Sequence, residues 1–439
     1  MHQSRRRSVQ SPTADLPVIV LGAGPIGLTC AAELRGRDQA VLVLEKSDRV
    51  AESVRQWGHV RMFSPWSELV SAAVARQLGS DWTMPKESVY PTGRQWVSDY
   101  LEPLGQALSP WIRFDRRVVG VARLDRDLVV ESGRSEQPYV VHTYRPDGTI
   151  ERVLARAVVD ATGTWQRPNP LGSEGYPVTG ENYHADQIVH TMPDPTDATW
   201  SGQKVAVLGS GASALTSLVA LTRQGPNASA SVLWVLRRGS ADQALGGGEN
   251  DELPARAALG DKVRRAVADG RITVVTRFRA AEVRSGSAGT VGLVSSNGEV
   301  VEGLDRIVCA TGFRPDLSFL SEVRLDLDHQ LEAPAGIAGD IDPNWHSCGS
   351  VPAHGYQALE QPDMGLFIAG IKSYGRAPSF LAMIGFEQVR SIAAYLAGDL
   401  QAARSLQLDV PETGVCGGSG DFDAQSGPCC STSDGKAIA

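Results

Sequence analysis

The chain has 439 residues, with 42 Lys and Arg against 50 Asp and Glu, a net charge of -8, 42% hydrophobic residues and 21% charged residues. This composition is typical of a soluble globular protein of about two or three domains, and it excludes global disorder and a strongly basic nucleic-acid-binding surface. Arg5, Arg6 and Arg7 are not followed by an apolar segment, and no run of about 18 apolar residues occurs. We therefore expect a cytoplasmic protein without a nucleic-acid or membrane partner.

The first motif is a glycine-rich turn near the start of the chain. The apolar run Val18–Leu21 predicts a strand buried on both faces, and Gly22, Gly24 and Gly27 follow it directly. In a dinucleotide-binding turn, the first glycine allows a tight bend and the second lets a pyrophosphate approach the backbone. The third lets the helix pack closely on the strand. The spacing of the three glycines predicts such a turn.

The residues after this turn complete a βαβ unit. Apolar residues predict a helix over Ile26–Leu34 and a second strand over Ala40–Leu44, which is followed by Glu45 and Lys46. A carboxylate at this position accepts a hydrogen bond from a nucleotide ribose, so Glu45 indicates a nucleotide without a 2′-phosphate. The alternative is a glycine-rich turn in an unrelated α/β domain, with Glu45 exposed to solvent.

A second turn of the same kind lies in the middle of the chain. Lys204–Leu208 predicts a buried strand, and the apolar residues of 215–223 predict a helix. Ala214 replaces the third glycine, which the motif tolerates because that position requires only a small side chain. The turn residues that we expect at the nucleotide are Gly209, Ser210, Gly211, Ser213 and Ala214.

The second turn differs from the first at the end of its next strand. Ser231–Leu236 predicts that strand, and Arg237 and Arg238 follow it in place of an acid. A guanidinium pairs with a phosphate through two hydrogen bonds, so this site is typical of NADPH, which carries a 2′-phosphate. The alternative is that both arginines face solvent.

With both turns in place, the sequence resembles the flavoproteins that have two dinucleotide-binding domains. Two further segments carry the resemblance, because Asp160–Gly163 closes an apolar strand before the second turn and Cys309–Gly312 closes another after it. The resemblance implies an α/β fold with two Rossmann-like domains, in which an NADPH-binding domain is inserted into a discontinuous FAD-binding domain. It places nucleotide contacts or domain crossings at Thr162, Gly163, Thr311 and Gly312.

The same resemblance implies the domain boundaries. We expect an FAD-binding domain over 16–195 and 317–402, an NADPH-binding domain over 196–316, and flexible tails over 1–15 and 403–439. Gly365–Tyr374 corresponds to the last FAD segment of the family, with Gly370 at the cofactor. In this chain Ile371 and Lys372 follow Gly370, where the family commonly has an Asp that reaches the flavin ribityl chain.

Within this superfamily the chain resembles the flavin-containing monooxygenases. Ala161–Pro170 matches their ATG segment with its downstream prolines, and a second fingerprint survives only as Gly180 and His184. The resemblance implies oxidation of a small molecule at sulfur, nitrogen or arsenic, with NADPH and dioxygen. The segments that also resemble bacterial flavoproteins accompanying arsenic-resistance genes are 54–66, 340–349, 371–380 and 410–416.

Several polar residues are candidates for a place beside the flavin. The candidates for stabilising charge there are Lys372, Tyr374, Arg376 and His354, and each of them has a solvated or structural alternative. The aromatic block Trp57–Trp66 fits either a flavin and substrate pocket, through residues such as His59 and Ser64, or ordinary core packing.

The cysteines give no CxxC pair for a flavin disulfide reductase. Cys30 falls in a predicted helix and Cys309 in a predicted strand, where a single cysteine behaves as a small hydrophobe. Soft thiolates select soft ions, so the tail cysteines could capture trivalent arsenic or a soft metal ion, or could have no function. Those tail cysteines are Cys416, Cys429 and Cys430.

Three functions stay open on the sequence alone. The first is an NADPH-dependent, FAD-containing monooxygenase that acts on a small soft-heteroatom substrate with dioxygen. The second is a flavin-dependent reductase that passes electrons to a metalloid, a quinone or a protein. The third is a non-catalytic nucleotide-binding metalloid sensor. The oligomeric state is open, with a homodimer as one option.

Overall fold

The computed structural model describes residues 15–223, 230–245, 254–344, 352–377, 380–406 and 408. The residues predicted as the N-terminal tail, except Asp15, and the three tail cysteines lie outside these ranges. The strands are β1 (Val18–Leu21), β2 (Val41–Leu44), β3 (Ile112–Arg113), β4 (Arg117–Arg123), β5 (Tyr139–Tyr144), β6 (Ile150–Ala155), β7 (Ala157–Asp160), β8 (Ile188–Val189), β9 (Lys204–Leu208), β10 (Ser231–Val235), β11 (Ile272–Val275), β12 (Ala280–Ser285), β13 (Val291–Ser295), β14 (Val300–Leu304), β15 (Arg306–Cys309), β16 (Leu327–Asp328), β17 (Ala333–Pro334) and β18 (Leu366–Ile368). The helices are α1 (Pro25–Arg35), α2 (Glu52–Gln56), α3 (Trp66–Leu69), α4 (Ala72–Ala75), α5 (Gly93–Trp96), α6 (Glu102–Ala107), α7 (Ala212–Thr222), α8 (Pro254–Ala268), α9 (Ala335–Ile341), α10 (Tyr356–Leu359), α11 (Ala382–Leu396) and α12 (Leu400–Arg404).

The first parallel sheet has the strand order β18-β7-β1-β2-β3. Every residue of β1 is buried, because the sheet is covered on both faces. Val18 and Val20 belong to a core cluster with α1 and α11, whereas Ile19 and Leu21 belong to a cluster with the antiparallel sheet β4-β5-β6. The alternation of side chains along β1 therefore joins three layers: helices, parallel sheet and antiparallel sheet.

The second parallel sheet repeats this architecture, with the order β11-β10-β9-β15-β8. Val205 and Val207 of β9 pack in a cluster with α7 and α8, while Ala206 and Leu208 pack with the antiparallel sheet β12-β13-β14. The predicted α/β fold with two Rossmann-like units is confirmed. No helix within the described residues is both long and apolar enough to cross a membrane.

Two elements extend past the expected domain boundaries. The edge strand β8 pairs with β15 in the second sheet, although it precedes the expected boundary at residue 196. It contains two residues only, Ile188 and Val189, and so leaves too short an apolar pattern to read from sequence. Near the C-terminus, α12 continues past the expected boundary at 402. Ala403 in this helix is buried against the first unit.

The chain crosses between the two units at two segments that lie side by side, the first over 161–170 and the second over 310–316. Trp165 in the first crossing stacks on Phe313 in the second, with ring centroids 4.8 Å apart. Asn169 Nδ2 donates to the Thr311 carbonyl at 3.1 Å, and Arg314 Nε donates to Asn169 Oδ1 at 2.7 Å. Stacking and hydrogen bonds therefore tie the two crossings together over these residues.

Candidate functional site

Both glycine turns open into one cleft of about 1470 Å³ between the two parallel sheets. Gly22, Gly24 and Glu45 line one part of it, and Gly209 and Gly211 line another. The other predicted nucleotide-site residues that line it are Lys46, Thr162, Gly163, Ser210, Ser213, Arg237, Arg238, Thr311, Gly312 and Gly370. The structure thus brings together residues from both turns and both crossings.

The three glycines of the first turn differ in what the fold requires at each position. Gly22 has a φ of +93°, which L side chains rarely adopt. A Cβ on Gly27 would lie 1.9 Å from the Gly22 carbonyl oxygen, so the helix can approach the turn only at a glycine. A Cβ on Gly24 would have no heavy atom within 4 Å, because this residue faces the open cleft. Nothing in the fold itself requires glycine at position 24, which fits a ligand that comes close to the backbone there.

Glu45 closes the first turn from the end of β2. Its side chain is buried, and it accepts hydrogen bonds from the backbone N–H of Ala23 at 2.6 Å and of Ser47 at 2.9 Å. These bonds fix the carboxylate at the wall of the cleft. The alternative of an exposed strand end is therefore wrong. Burial lowers the pKa of the adjacent Lys46, and the Glu45 charge opposes that shift.

The second turn reproduces the first. Gly209 has a φ of +125°, and its Cβ would lie 2.2 Å from the Ala310 carbonyl oxygen of the second crossing. Gly211, like Gly24, has no heavy atom within 4 Å of the Cβ position. Ala214 is fully buried in the place of Gly27, in agreement with the small side chain expected there.

In the second unit, arginines occupy the position that corresponds to Glu45 in the first unit. Arg238 is only 8% exposed, and it lines the cleft together with Arg237. Partial desolvation by the surrounding chain, followed by repulsion from Arg238 and Arg279, lowers the pKa of Arg237. Arg279 lies in a different element, beside the start of β12, so no local pattern in the sequence connects it with Arg237 and Arg238. Arg238 is buried, Arg279 is half-buried and Arg237 is exposed, so the alternative that both arginines face solvent holds for Arg237 alone. The guanidiniums of Arg237 and Arg238 at the cleft wall suit an anionic ligand.

The structure corrects the prediction for two candidates after Gly370. Lys372 and Tyr374 are fully buried and do not line the cleft. Lys372 Nζ donates to Asp160 Oδ2 at 2.5 Å and to Thr162 Oγ1 at 3.0 Å, and it lies 4.4 Å from the centroid of the Phe319 ring. A charge enclosed in this way positions the Asp160–Gly163 turn and is not available to a ligand.

The other two candidates differ from each other. His354 is buried away from the cleft, where its Nε2 lies 3.0 Å from Asp340 Oδ2 and burial lowers its pKa. Arg376 does line the cleft, and its guanidinium pairs with both carboxylate oxygens of Glu332 at 3.0 Å. Only Arg376 of the four candidates therefore has access to a ligand in the cleft.

Some residues of the aromatic block Trp57–Trp66 line the cleft, and others pack in the core. Trp57, Met62 and Phe63 line the cleft, whereas Ser64 and Trp66 are buried in the core. His59 lies beside Asp194, with 4.0 Å between Nδ1 and Oδ2, and Arg61 lines the cleft.

The two cysteines that the structure describes in the core are poor thiolates. Cys30 is fully buried, and burial raises the pKa of its thiol. Burial raises the pKa of Cys309 to about 12. Cys348 lies outside the described residues.

Sequence reasoning missed a set of cleft residues in the crossings and beside the last FAD segment. Arg167 lies four residues after Gly163 and Arg314 lies two residues after Gly312, and both line the cleft. Asp316 and Phe319 follow Arg314 and also line it. Their only signal in the sequence is proximity to those segments. Their convergence depends on contacts between residues about 150 positions apart, such as Arg314 with Asn169.

Comparison with protein families places most of the chain in one family model. The model described as pyridine nucleotide-disulphide oxidoreductase matches residues 19–335. Among curated proteins, the FAD-containing monooxygenase EthA of Mycolicibacterium smegmatis is 23% identical over 227 residues, which cover 48% of this chain and 40% of that protein. The indole-3-pyruvate monooxygenase YUCCA1 of Oryza sativa subsp. japonica is 29% identical over 209 residues, covering 47% and 45%. The chain thus spans less than half the length of these curated relatives.

Solved structures share the fold over nearly their full length. The bacillithiol disulfide reductase Bdr from Bacillus cereus superposes with a TM-score of 0.66 at 21% identity, covering 87% of this chain and 99% of that one. The flavin-containing monooxygenase from Stenotrophomonas maltophilia superposes with a TM-score of 0.53 at 20% identity, covering 87% and 98%. At these identities the likeness concerns the fold alone.

Proposed function

Because this chain belongs to the pyridine nucleotide-disulphide oxidoreductase family, we propose that it binds FAD and NADPH and acts as a monooxygenase on a small soft-heteroatom substrate. The observation that carries the proposal is the single cleft into which both glycine turns open. Two dinucleotides bound at these turns would share one cavity, as transfer of a hydride between them requires. The two curated relatives support the reaction type, since both are named as monooxygenases.

The residues of the first turn fit FAD. Gly24 leaves room for a pyrophosphate at the N-terminus of α1, and Glu45 presents a fixed carboxylate for a ribose hydroxyl. Thr162, Gly163 and Gly370 would extend this surface along the rest of the cofactor. Ile371, which lines the cleft, takes the position after Gly370 where the family commonly has an acid.

The residues of the second turn fit NADPH. Gly211 leaves the same space at the N-terminus of α7. Arg237 and Arg238, with Arg279 close by, provide the positive charge that a 2′-phosphate needs, whereas the first site has a carboxylate at the equivalent position. We therefore assign the phosphorylated nucleotide to this site.

In this proposal the protein binds and orients the two cofactors and shields the reaction from water. When bound, FAD accepts a hydride from NADPH and activates dioxygen for oxygen transfer, which is chemistry of the cofactor. Cys30 and Cys309 are buried with raised pKa values, so neither offers a thiolate for a disulfide relay. Within the described part of the chain, this favours direct reaction in the cleft.

Trivalent arsenic is one soft heteroatom within the proposed substrate class. Its support comes from the sequence, in which Cys416, Cys429 and Cys430 follow the last segment of the first unit. Thiolates bind soft ions preferentially, so these residues suit delivery or capture of such a substrate. We propose arsenite and methylarsenite as substrates to try beside simple thioethers.

The test follows reduction and reoxidation separately. Purified protein loaded with FAD is reduced with NADPH without oxygen, then mixed with buffer containing isotope-labelled dioxygen and either methylarsenite or methyl phenyl sulfide. We expect bleaching of the flavin by NADPH and labelled oxygen in the product. Hydrogen peroxide without an oxygenated product would indicate the reductase alternative. Retained FAD that NADPH does not bleach would contradict both and favour a non-catalytic binding protein.

A further inference from the structure

Three of the arginines that line the cleft lie at the crossings and after Gly370. Arg167 and Arg314 come from the two crossings, and Arg376 comes from the segment after Gly370. We propose that these guanidiniums form a site for an anionic group, a carboxylate or an oxyanion, on the substrate. This inference rests on the proposed function, because it specifies which substrates the same cleft accepts.

Protein hydrogen bonds hold each of the three guanidiniums in place. Arg314 Nη2 donates to the Gly175 carbonyl at 3.1 Å, in addition to the bond from its Nε to Asn169. Arg167 Nη1 donates to the Pro315 carbonyl at 3.0 Å. Arg376 is held by its paired bonds to Glu332. An anion would meet side chains that are already oriented, so less conformational entropy is lost on binding.

Two carboxylates beside the three arginines, Glu332 and Asp316, already have partners. Glu332 uses both oxygens on Arg376, and Asp316 Oδ1 accepts from the backbone N–H and the hydroxyl of Ser318. Three guanidiniums thus face two carboxylates that already have partners. Burial, followed by repulsion from Arg376, lowers the pKa of Arg314, so the positive charges are close enough to disfavour one another. An anion placed among them would relieve that repulsion.

The position of the site separates it from the assigned phosphate contacts. The FAD pyrophosphate is assigned to Gly24 and the NADPH phosphate to Arg237 and Arg238, whereas these arginines lie beside the crossings and the segment after Gly370. A basic cleft surface on a chain with a net charge of -8 concentrates anions locally. A substrate that combines a soft heteroatom with an anionic group fits both features.

The experiment compares two probes of the same shape. Para-(methylthio)benzoate and para-(methylthio)benzamide differ in charge but share the thioether, and their dissociation constants for the FAD-loaded full chain are measured by calorimetry. We expect the benzoate to bind at least about tenfold more tightly. Arg314→Gln and, in case that variant does not fold, Arg167→Gln should each reduce this preference about tenfold. Arg284→Gln removes the same charge from a surface pair with Glu302 outside the cleft and should preserve it.

Each alternative outcome is decisive. Equal binding of the two probes, or an equal preference in all variants, would overturn the inference. Loss of NADPH affinity in Arg314→Gln without any effect on the benzoate would assign the arginines to cofactor phosphates and also overturn it. The proposed function would survive either result if NADPH still bleaches the flavin and the benzamide is still oxygenated. Absence of that turnover would count against the proposed function instead.

Discussion

The two nucleotide-binding units share a turn but differ in what surrounds it. Gly24 and Gly211 occupy equivalent open positions, and β1 and β9 have the same three-layer environment. The first unit ends its second strand with a carboxylate, and the second unit with two arginines. The shared part reflects the requirements of any dinucleotide, and we propose that the differing part selects which one binds.

The units also differ in where their ion pairs lie. In the first unit Lys372 and Asp160 are fully buried, and Arg134 and Asp363 nearly so. In the described part of the second unit, Arg284 and Glu302 are 43% and 71% exposed. Buried pairs fix geometry but leave an isolated charge when one partner is lost, whereas exposed pairs contribute little. The unit assigned to FAD therefore contains buried ion pairs between residues that are far apart in the sequence.

The largest expected effect comes from breaking the buried pair. Lys372→Met leaves Asp160 as an uncompensated buried charge, so we expect a loss of about 3–5 kcal/mol in the free energy of unfolding. Arg284→Met in the second unit should cost less than about 1 kcal/mol. Urea unfolding of both variants measures the contrast. Similar losses in the two variants would remove the distinction between the units, and the double variant with Asp160→Asn should recover part of the first loss.

The second largest expected effect on stability distinguishes Gly27 from Gly24 in the first turn. Gly27→Ala forces a methyl group against the Gly22 carbonyl, and we expect it to destabilise the protein by about 2 kcal/mol. Gly24→Ala meets open space and should change stability by less than about 0.5 kcal/mol, yet weaken FAD binding. Thermal unfolding of the FAD-free chain and FAD titration give the two values. Normal FAD affinity in Gly24→Ala would argue against a pyrophosphate at this turn.

A smaller effect tests the difference between acid and arginine. Arg238→Ala should lower the preference for NADPH over NADH about tenfold, since a guanidinium bond to a phosphate is lost. Arg284→Ala, outside the cleft, serves as the control. The ratio of kcat/KM for the two nucleotides, followed as flavin reduction, is the measurement. An unchanged ratio would leave the 2′-phosphate without its proposed partner.

The smallest effect is a pH dependence in the first unit. Burial raises the pKa of Asp363, but hydrogen bonds from Arg134 and from the Arg324 backbone N–H outweigh it, so the net shift is downward. A lowered pKa stabilises the fold above the unfolded value of about 3.9, and this stability is lost as the pH falls through the folded pKa. The difference in unfolding free energy between the parent chain and Asp363→Asn should be constant near neutral pH and shrink below about pH 4. Parallel curves down to pH 3 would refute this.

Local patterns were predictable and long-range partners were not. The strands, glycines and helices of both turns lie within short stretches of sequence, and the structure reproduces them with bounds shifted by one or a few residues. Lys372 follows a glycine on an apparent loop, and only the fold shows that Asp160, more than 200 residues earlier, buries it. The convergence of Arg167, Arg314 and Arg376 was hidden for the same reason. Contacts between residues that are far apart in the sequence leave no periodic pattern from which they could be predicted.

The adjacent crossings have a consequence for how the chain is organised as modules. Because Asn169 and Thr311 are in contact, the inserted unit enters and leaves its host at a single point. A folded body whose two ends meet can be placed in a host loop without stretching either partner. Exchange of this segment between related proteins should therefore preserve both cores, provided that the stacked pair Trp165 and Phe313 is kept. The contacts between the two crossings, more than the cores of the two units, therefore determine which pairs of units can be combined.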